Sequence, residues 1–463
     1  MIMKRNKIIT IAIIVTIIAI IGIYPMINKK GLNTSNNMNN SNPLKIYILA
    51  YNGEINDHIL QSTISEFKSK YPQIKIEKVM FDINKDGGFD GYCKKILNDT
   101  LSGEGPDILY LDIINAKKLQ KSLMLEDLKP FIENDKDFKK EDYNATVINA
   151  GMYKGKLTLM PLNYYVMQYA TTVQLLKNNN INLKENCSQN DFIKAIEPYI
   201  ASINGDKNKI LFPAPIRITD FLASSGIDFI DYENKKVHFD KPEFKEIIEN
   251  YKKIYKTSKK EEDMQGYEGN EGINGLKNGN TLFSGDKMFI AGQLLSLESV
   301  INGSTKEEPV INNFPAYKEK DTVNAIVGHS MAISKKTKNK NAAYNFIKIA
   351  LSEKIQSPEE NLRIQCMPVN KKAAENIKKQ YISKEVGKSQ DDYTSTKIIN
   401  QKLSQNFERY YNKITNKVEK AVITDYTIEN LMKECLKPYF QDKESYESAV
   451  KVLENKVKLY INE

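Results

Sequence analysis

The chain has no tryptophan, three histidines and four cysteines in 463 residues. Each shortage excludes some chemistry. His58, His238 and His329 stand far apart, and no Ser/His/Asp or Cys/His arrangement for nucleophilic catalysis can be picked out around them. An enzyme is not expected, and an extracellular hydrolase would rest only on abundant carboxylates. Cys93, Cys187, Cys366 and Cys435 form no CxxC pair and no Cys/His cluster, so neither a zinc site nor a redox motif is signalled. Their spacing favours buried free thiols, with one or two disulfides left open for a chain outside the cell. No cofactor and no resident metal are expected.

A strong charge is also missing. The formal net charge is +9, but Lys4, Arg5, Lys7, Lys29 and Lys30 supply five of the excess with no acid among residues 1–30. A body with so small a surplus gives no reason to expect nucleic acid as a partner.

Long apolar runs are scarce except at one place. Residues 8–27, IITIAIIVTIIAIIGIYPMI, are uncharged and almost wholly apolar. At about 1.5 Å rise per residue they match a hydrocarbon core about 30 Å thick. A signal peptide would have a shorter run and a small-x-small cleavage site, and no cysteine stands nearby to carry a lipid. An uncleaved transmembrane helix is therefore the preferred reading of residues 1–30, with a cleaved signal as the alternative. Lys4, Arg5 and Lys7 outweigh Lys29 and Lys30, which predicts a cytoplasmic N-terminus and a body on the extracellular side of the cell membrane. The polar, Asn/Ser-rich residues 31–43 read as a flexible linker, on the order of 20 Å in span.

From Leu44 the pattern becomes α/β. LKIYILA (44–50) predicts a strand. Ile55, Ile59, Leu60, Ile64 and Phe67 form one helical face, ending at Tyr71-Pro72. IKIEKVMF (74–81) is a second strand, a helix through Tyr92, Ile96 and Leu101 follows, and GPDILYLD closes a β-α-β-α-β unit. Such units make parallel sheets whose ligands bind beyond the carboxyl ends of the strands. Tyr51, Asn52 and Asp112 stand at two of those ends. Further on, Asp240-Lys241-Pro242-Glu243 predicts a capping box. Apolar positions at helical spacing follow it from Phe244 to Tyr255, and recur from Ala343 to Leu351 and from Tyr446 to Tyr460. These stripes read as core faces.

Four segments in order carry a resemblance: GEGPDILYLDIINAKKLQKSLMLEDLKPF, YKGKLTLMPLNYYVMQYATT, LFSGDKMFIAG and GHSMAISKKTKNKNAAYNFIKIALSEKIQ. Together they make residues 44 to about 370 resemble the extracellular solute-binding proteins of ABC importers, the family that includes the maltose- and oligosaccharide-binding proteins. The resemblance implies a two-lobed periplasmic-binding-protein-like α/β fold with hinge-crossing strands near Leu162–Val166 and Ala325–Gly328. Lobe 1 would be residues 44–164 plus 326–365, and lobe 2 residues 165–325 plus 366–463. It further implies capture of a small polar solute, with carbohydrate expected, between closing lobes, and delivery to ABC permease subunits. A sensory protein of the same fold signalling to a membrane histidine kinase is the alternative.

Candidate contacts follow from strand ends and crossings. Asp112 would accept from ligand hydroxyls or a cation, with a helix N-cap or surface acid as the plainer alternative. Tyr51 and Asn52, and Asn163, Tyr164 and Tyr165 at the first crossing, offer rings beside polar groups, as a sugar requires; tyrosine is equally common in plain packing. Ser225 and His329 are the further candidates. The resemblance adds Gln293, because several sugar binders carry a stacking Trp just after a Gly, where this chain reads Ala291-Gly292-Gln293-Leu294. That departure leaves Tyr and Phe to stack. DINKDGGFDGYC (82–93) has Asp82, Asn84, Asp86, Gly87 and Asp90 at calcium-loop positions, but Cys93 replaces the closing glutamate, so it reads as a polar loop. Residues 257–280 read as a solvated loop in which Tyr267 is the one further contact candidate.

Overall fold

The computed structural model describes residues 43–50, 58–82, 84–111, 116–122, 124–203, 205–206, 208–261, 271–284, 301, 304–358, 366–383 and 401–462. The predicted transmembrane segment, Tyr51, Asn52, Asp112, Tyr267 and Gln293 lie outside them. Among the described residues no helix is long and apolar enough to cross a membrane.

Strand β1 (Leu44–Ala50) is buried on both faces because parallel neighbours flank it and helices cover it. It pairs in parallel with β2 (Ile76–Asp82), Leu44 opposite Ile76, and with β3 (Ile108–Leu111), Ile46 opposite Ile108. The crossovers are the helices His58–Lys70 and Gly88–Ser102. The first buries Ile59, Leu60, Ile64 and Phe67, as its periodicity predicts. Leu101 corrects the second: it is 61% exposed, in the last turn before Gly103 ends the helix at φ 87°.

Two late strands complete this first sheet. β13 (Ser330–Ile333) runs antiparallel to β3, Ser330 opposite Leu111, and β6 (Met160–Pro161) pairs on its far side. The order is β2-β1-β3-β13-β6. Just upstream, β4 (Met152–Tyr153) and β5 (Lys156–Leu157) form a hairpin turned by Lys154 at φ 48° and Gly155 at φ 74°.

Directly after β6 the chain enters a second sheet. β7 (Asn163–Val166) lies antiparallel to β12 (Val323–Val327), with Tyr165 opposite Ile326. β14 (Met367–Pro368) borders β7, and β15 (Val418–Val422) runs parallel to β12 on the other side. Beyond β7, β8 (Gln168–Thr172) pairs with β11 (Pro309–Asn313), and between them in sequence β9 (Ile230–Asp231) pairs with β10 (Lys236–Val237). Around these strands pack the rings of Tyr169, Phe192, Phe212, Phe283 and Phe314, whose successive centroids lie 4.8 to 5.9 Å apart. This aromatic cluster lies within the hydrophobic core beside the second sheet.

The helix Pro242–Thr257 buries Phe244, Ile247, Ile248, Tyr251 and Ile254, while its predicted capping box does not form. Lys241 is the N-cap and makes no side-chain cap bond, so Asp240 stands one position too early to reach the helix amides. The closing helix Tyr446–Asn462 buries Ala449, Val450, Leu453, Val457 and Tyr460. All four cysteines are free thiols. In the former calcium-loop candidate, Asp82 accepts the Asn84 amide at 3.0 Å, Asp86 accepts the Asp82 amide at 2.9 Å, and Asp90 pairs with Lys118 at 2.7 Å. Those carboxylates hold a turn and an ion pair and do not converge. Among the described residues no group of three His, Cys, Asp or Glu could hold a metal ion.

Candidate functional site

The turn between β12 and β13 brings two of the sequence candidates together. Because Ser330 opposes Leu111, His329 sits at the carboxyl edge of β3. The Asn163 side chain locks the corner: its Oδ1 accepts the His329 amide at 2.7 Å, so its Nδ2 is the end that meets His329 Nδ1 at 3.3 Å. An amide donating to Nδ1 makes that nitrogen an acceptor and puts the imidazole proton on Nε2. Tyr110 stacks on the half-buried imidazole, centroids 5.6 Å apart and planes at 21°. Leu162 N donates to His329 O at 2.8 Å, and Gly328 N to Asn163 O at 3.0 Å. Gly328 is required here, since a Cβ would stand 2.4 Å from Asn163 Oδ1 and 2.6 Å from Cys366 Sγ.

Tyr165 points elsewhere. Its buried hydroxyl donates to Asp220 Oδ2 at 3.1 Å, and Arg217 Nη1 lies 3.8 Å from the other carboxylate oxygen. Burial, reinforced by the Asp220 charge, pushes the Tyr165 phenol well above its ordinary value. Burial alone would depress Arg217, but Asp220 and then Tyr165, Glu429 and Glu261 overcome it, so the guanidinium is held above its usual range. Thr219 extends the network, donating from N at 2.9 Å and Oγ1 at 2.5 Å to Glu429 Oε2, while Glu429 Oε1 faces Lys433 at 3.4 Å. Tyr164 is buried with its hydroxyl on Ile414 O.

Ser225 is engaged locally. Its hydroxyl donates to Leu222 O at 2.6 Å and accepts the Ile227 amide at 3.1 Å, closing the end of the helix Ile218–Ser225 ahead of Gly226 at φ 79°. It is 4% exposed, and in this arrangement its side chain serves the helix end.

Sequence reasoning missed a second group. The helices Gly88–Ser102 and Ala116–Lys121 begin beyond the carboxyl ends of β2 and β3, the edge where parallel sheets bind ligands. Residues of the second unit face them. The Phe89 and Tyr426 rings meet edge-on at 5.0 Å, Lys117 Nζ lies 4.8 Å from the Tyr232 ring, and Lys121 Nζ lies 3.7 Å from the Tyr460 ring. Asp425 caps the helix Tyr426–Phe440 and accepts the Tyr460 hydroxyl at 3.0 Å. Burial raises its carboxyl above the usual range although Tyr460 and Tyr232 bond to it. A cavity of about 110 Å³ opens beside this group, lined by Thr219, Leu222, Ile230, Tyr232, Thr424 and Asp425 among others. The available signal was the i, i+4 spacing of Lys117 and Lys121 in AKKLQK, at the start of a helix that follows β3.

The two larger sheets, connected where β6 passes into β7 and β12 into β13, make a mixed α/β fold of the periplasmic-binding-protein type. The chain matches the family model for bacterial extracellular solute-binding protein over residues 53–357 and belongs to that family. Its family and fold are those of substrate-binding proteins associated with ABC transport, not of enzymes. No curated protein matches the sequence. Among solved structures, the sugar-binding protein MalE from Xanthomonas citri is similar at TM-score 0.64 and 12% identity, over 91% of this chain and 98% of that one. An ABC substrate-binding protein from Listeria monocytogenes in complex with cycloalternan is similar at TM-score 0.57 and 15% identity, over 91% and 99%. Maltose-bound MalE3 of T. maritima is similar at TM-score 0.57 and 17% identity, over 90% and 99%.

Proposed function

We propose that this protein captures an oligosaccharide between two closing lobes, residues 44–164 plus 326–365 and residues 165–325 plus 366–463, and presents it to an ABC permease. The reading rests chiefly on the corner of Asn163, His329 and Tyr110, where a ring and an oriented imidazole stand together at the strand edge. A sugar presents hydroxyls around an apolar ring face, and stacking plus a few directed hydrogen bonds is what distinguishes it from water. The described tyrosines and phenylalanines along the seam supply rings in a chain without tryptophan. The sugar-binding solved structures support the same solute class. His329, Asn163, Tyr51, Asn52, Asp112 and Gln293 are the proposed contacts, and Tyr165 supports them from behind.

Closure follows from desolvation. A polar guest leaves water without loss only if groups on both sides replace its hydrogen bonds, so binding itself favours the closed arrangement. With the apolar segment 8–27 in the membrane and residues 31–43 as a tether, the loaded body stays near its permease and local concentration replaces diffusional search. The direct test is thermal shift and calorimetry across a panel of mono- and oligosaccharides. At least one sugar should raise the melting temperature, and His329→Ala should weaken its binding about 2- to 10-fold, the loss of one neutral hydrogen bond. Silence from every sugar in the panel removes the carbohydrate assignment.

A further inference from the structure

The seam facing Phe89, Lys117 and Lys121 is crossed by more bonds than a solute cleft needs to remain accessible. Four contacts join the first sheet's unit to the second along one edge. Phe89 meets Tyr426 at 5.0 Å. Lys117 Nζ covers the Tyr232 ring at 4.8 Å. Lys121 Nζ covers the Tyr460 ring at 3.7 Å and donates to Tyr460 O at 2.9 Å. At the turn of the β4–β5 hairpin, the Lys154 amide donates to Glu233 Oε1 at 2.6 Å. None of these residues belongs to the crossing strands β7 and β12, so each contact would break if the units swung apart about those strands.

We propose that these contacts form a latch that holds the two lobes together by the chain's own side chains, so that solute must compete with Phe89, Lys117 and Lys121 for the faces of Tyr426, Tyr232 and Tyr460. The latch is built, not incidental. Asp425 fixes the Tyr460 hydroxyl at 3.0 Å, and Gln120 anchors the helix Ala116–Lys121 by donating to Gly151 O at 2.9 Å. Lys117 is in turn held by Gln120 Oε1 at 3.1 Å, so its ammonium is aimed at the ring and not left to roam. An ammonium over a ring face occupies the surface on which a sugar would stack. The population of the open, binding-competent form then sets the apparent affinity, and weakening the latch increases that population.

The inference rests on the two-lobe reading but needs no solute for its test. Spin labels on unnatural amino acids would replace the exposed Lys94 and Lys443, one in each unit, in the full chain in detergent micelles. Double electron–electron resonance of the otherwise wild-type protein should give one dominant short separation. The pair Phe89→Ala with Lys121→Ala should add a second, longer separation. If that pair lowers the helical circular dichroism, Lys121→Met alone is measured in its place, with the same expectation. A wild-type distribution already dominated by the long separation, or a variant identical to wild type, overturns the latch. Because these readouts precede any ligand, a failed latch and a failed sugar assignment are told apart.

Discussion

At the scale of single residues, the corner beneath His329 leaves little room for change. Gly328 has no room for a methyl group, with Asn163 Oδ1 and Cys366 Sγ both under 3 Å from where it would sit. Gly328→Ala should cost about 1–3 kcal/mol, the usual penalty for overpacking, read by urea denaturation. Because Asn163 must move, solute affinity should fall with it. Tyr165→Phe tests a different residue, since it removes the hydroxyl from the buried Asp220 carboxylate. A loss of about 1–3 kcal/mol is expected from that carboxylate's poorer solvation, again by denaturation. The sequence pointed to Asn163 and His329 separately, as residues at two crossings. Their hydrogen bonds join positions 166 residues apart, and no local pattern encodes that meeting. Ser225 shows the complementary limit: a serine before a glycine suits a ligand loop and a helix end equally, and its hydrogen bonds here serve the helix end.

At the scale of elements, local patterns were read best where one buried face repeats. The strand 44–50 and the faces of the helices His58–Lys70, Pro242–Thr257 and Tyr446–Asn462 follow directly from apolar spacing. Ends were read less well, as Asp240 and Leu101 show, because a cap is decided by one residue's backbone angles and not by a period. How elements pack together is electrostatic as well as apolar. Asp135, at the end of the helix Lys129–Asn134, holds Lys348 at 2.7 Å and Tyr344 at 3.0 Å on the helix Lys340–Ala350. Burial would raise its carboxyl, but Lys348, the Asp137 amide and Tyr344 together hold it below the usual carboxylate range. The folded value is therefore the lower one, and the stabilisation is full above the unfolded value of about 3.9 and lost as pH falls through the folded one. Melting temperatures of wild type and Asp135→Asn should differ at neutral pH and converge as pH drops from 5 towards 3. A constant gap would show that Asp135 does not carry that dependence.

At the scale of the whole molecule, the α/β class and the family were legible because four spaced segments had to fall in one order. The rim was not. Lys117, Lys121, Tyr232, Asp425 and Tyr460 come from separate stretches, and each alone reads as an ordinary surface helix, hairpin or cap. The proposed tether belongs to the same scale. β1 starts at Leu44, and its carboxyl end is the edge at which the proposed site stands. At about 3.3 Å per residue the seven residues of that strand separate the proposed site from the strand's start by on the order of 20 Å. Shortening the linker in the full chain, reconstituted with its permease, should lower transport while leaving calorimetric affinity unchanged, because reach and binding are then separate properties.

The interleaved order of the strands bears also on how the protein is made. β3 ends at Leu111, yet its partner β13 begins only at Ser330, and β12 waits for β15 at Val418. A ribosome must therefore deliver more than three hundred residues before the first sheet can be finished, and more than four hundred before the second can. For most of its synthesis the nascent chain therefore has neither of its two larger sheets complete, so neither can lock its neighbours together until late in the sequence.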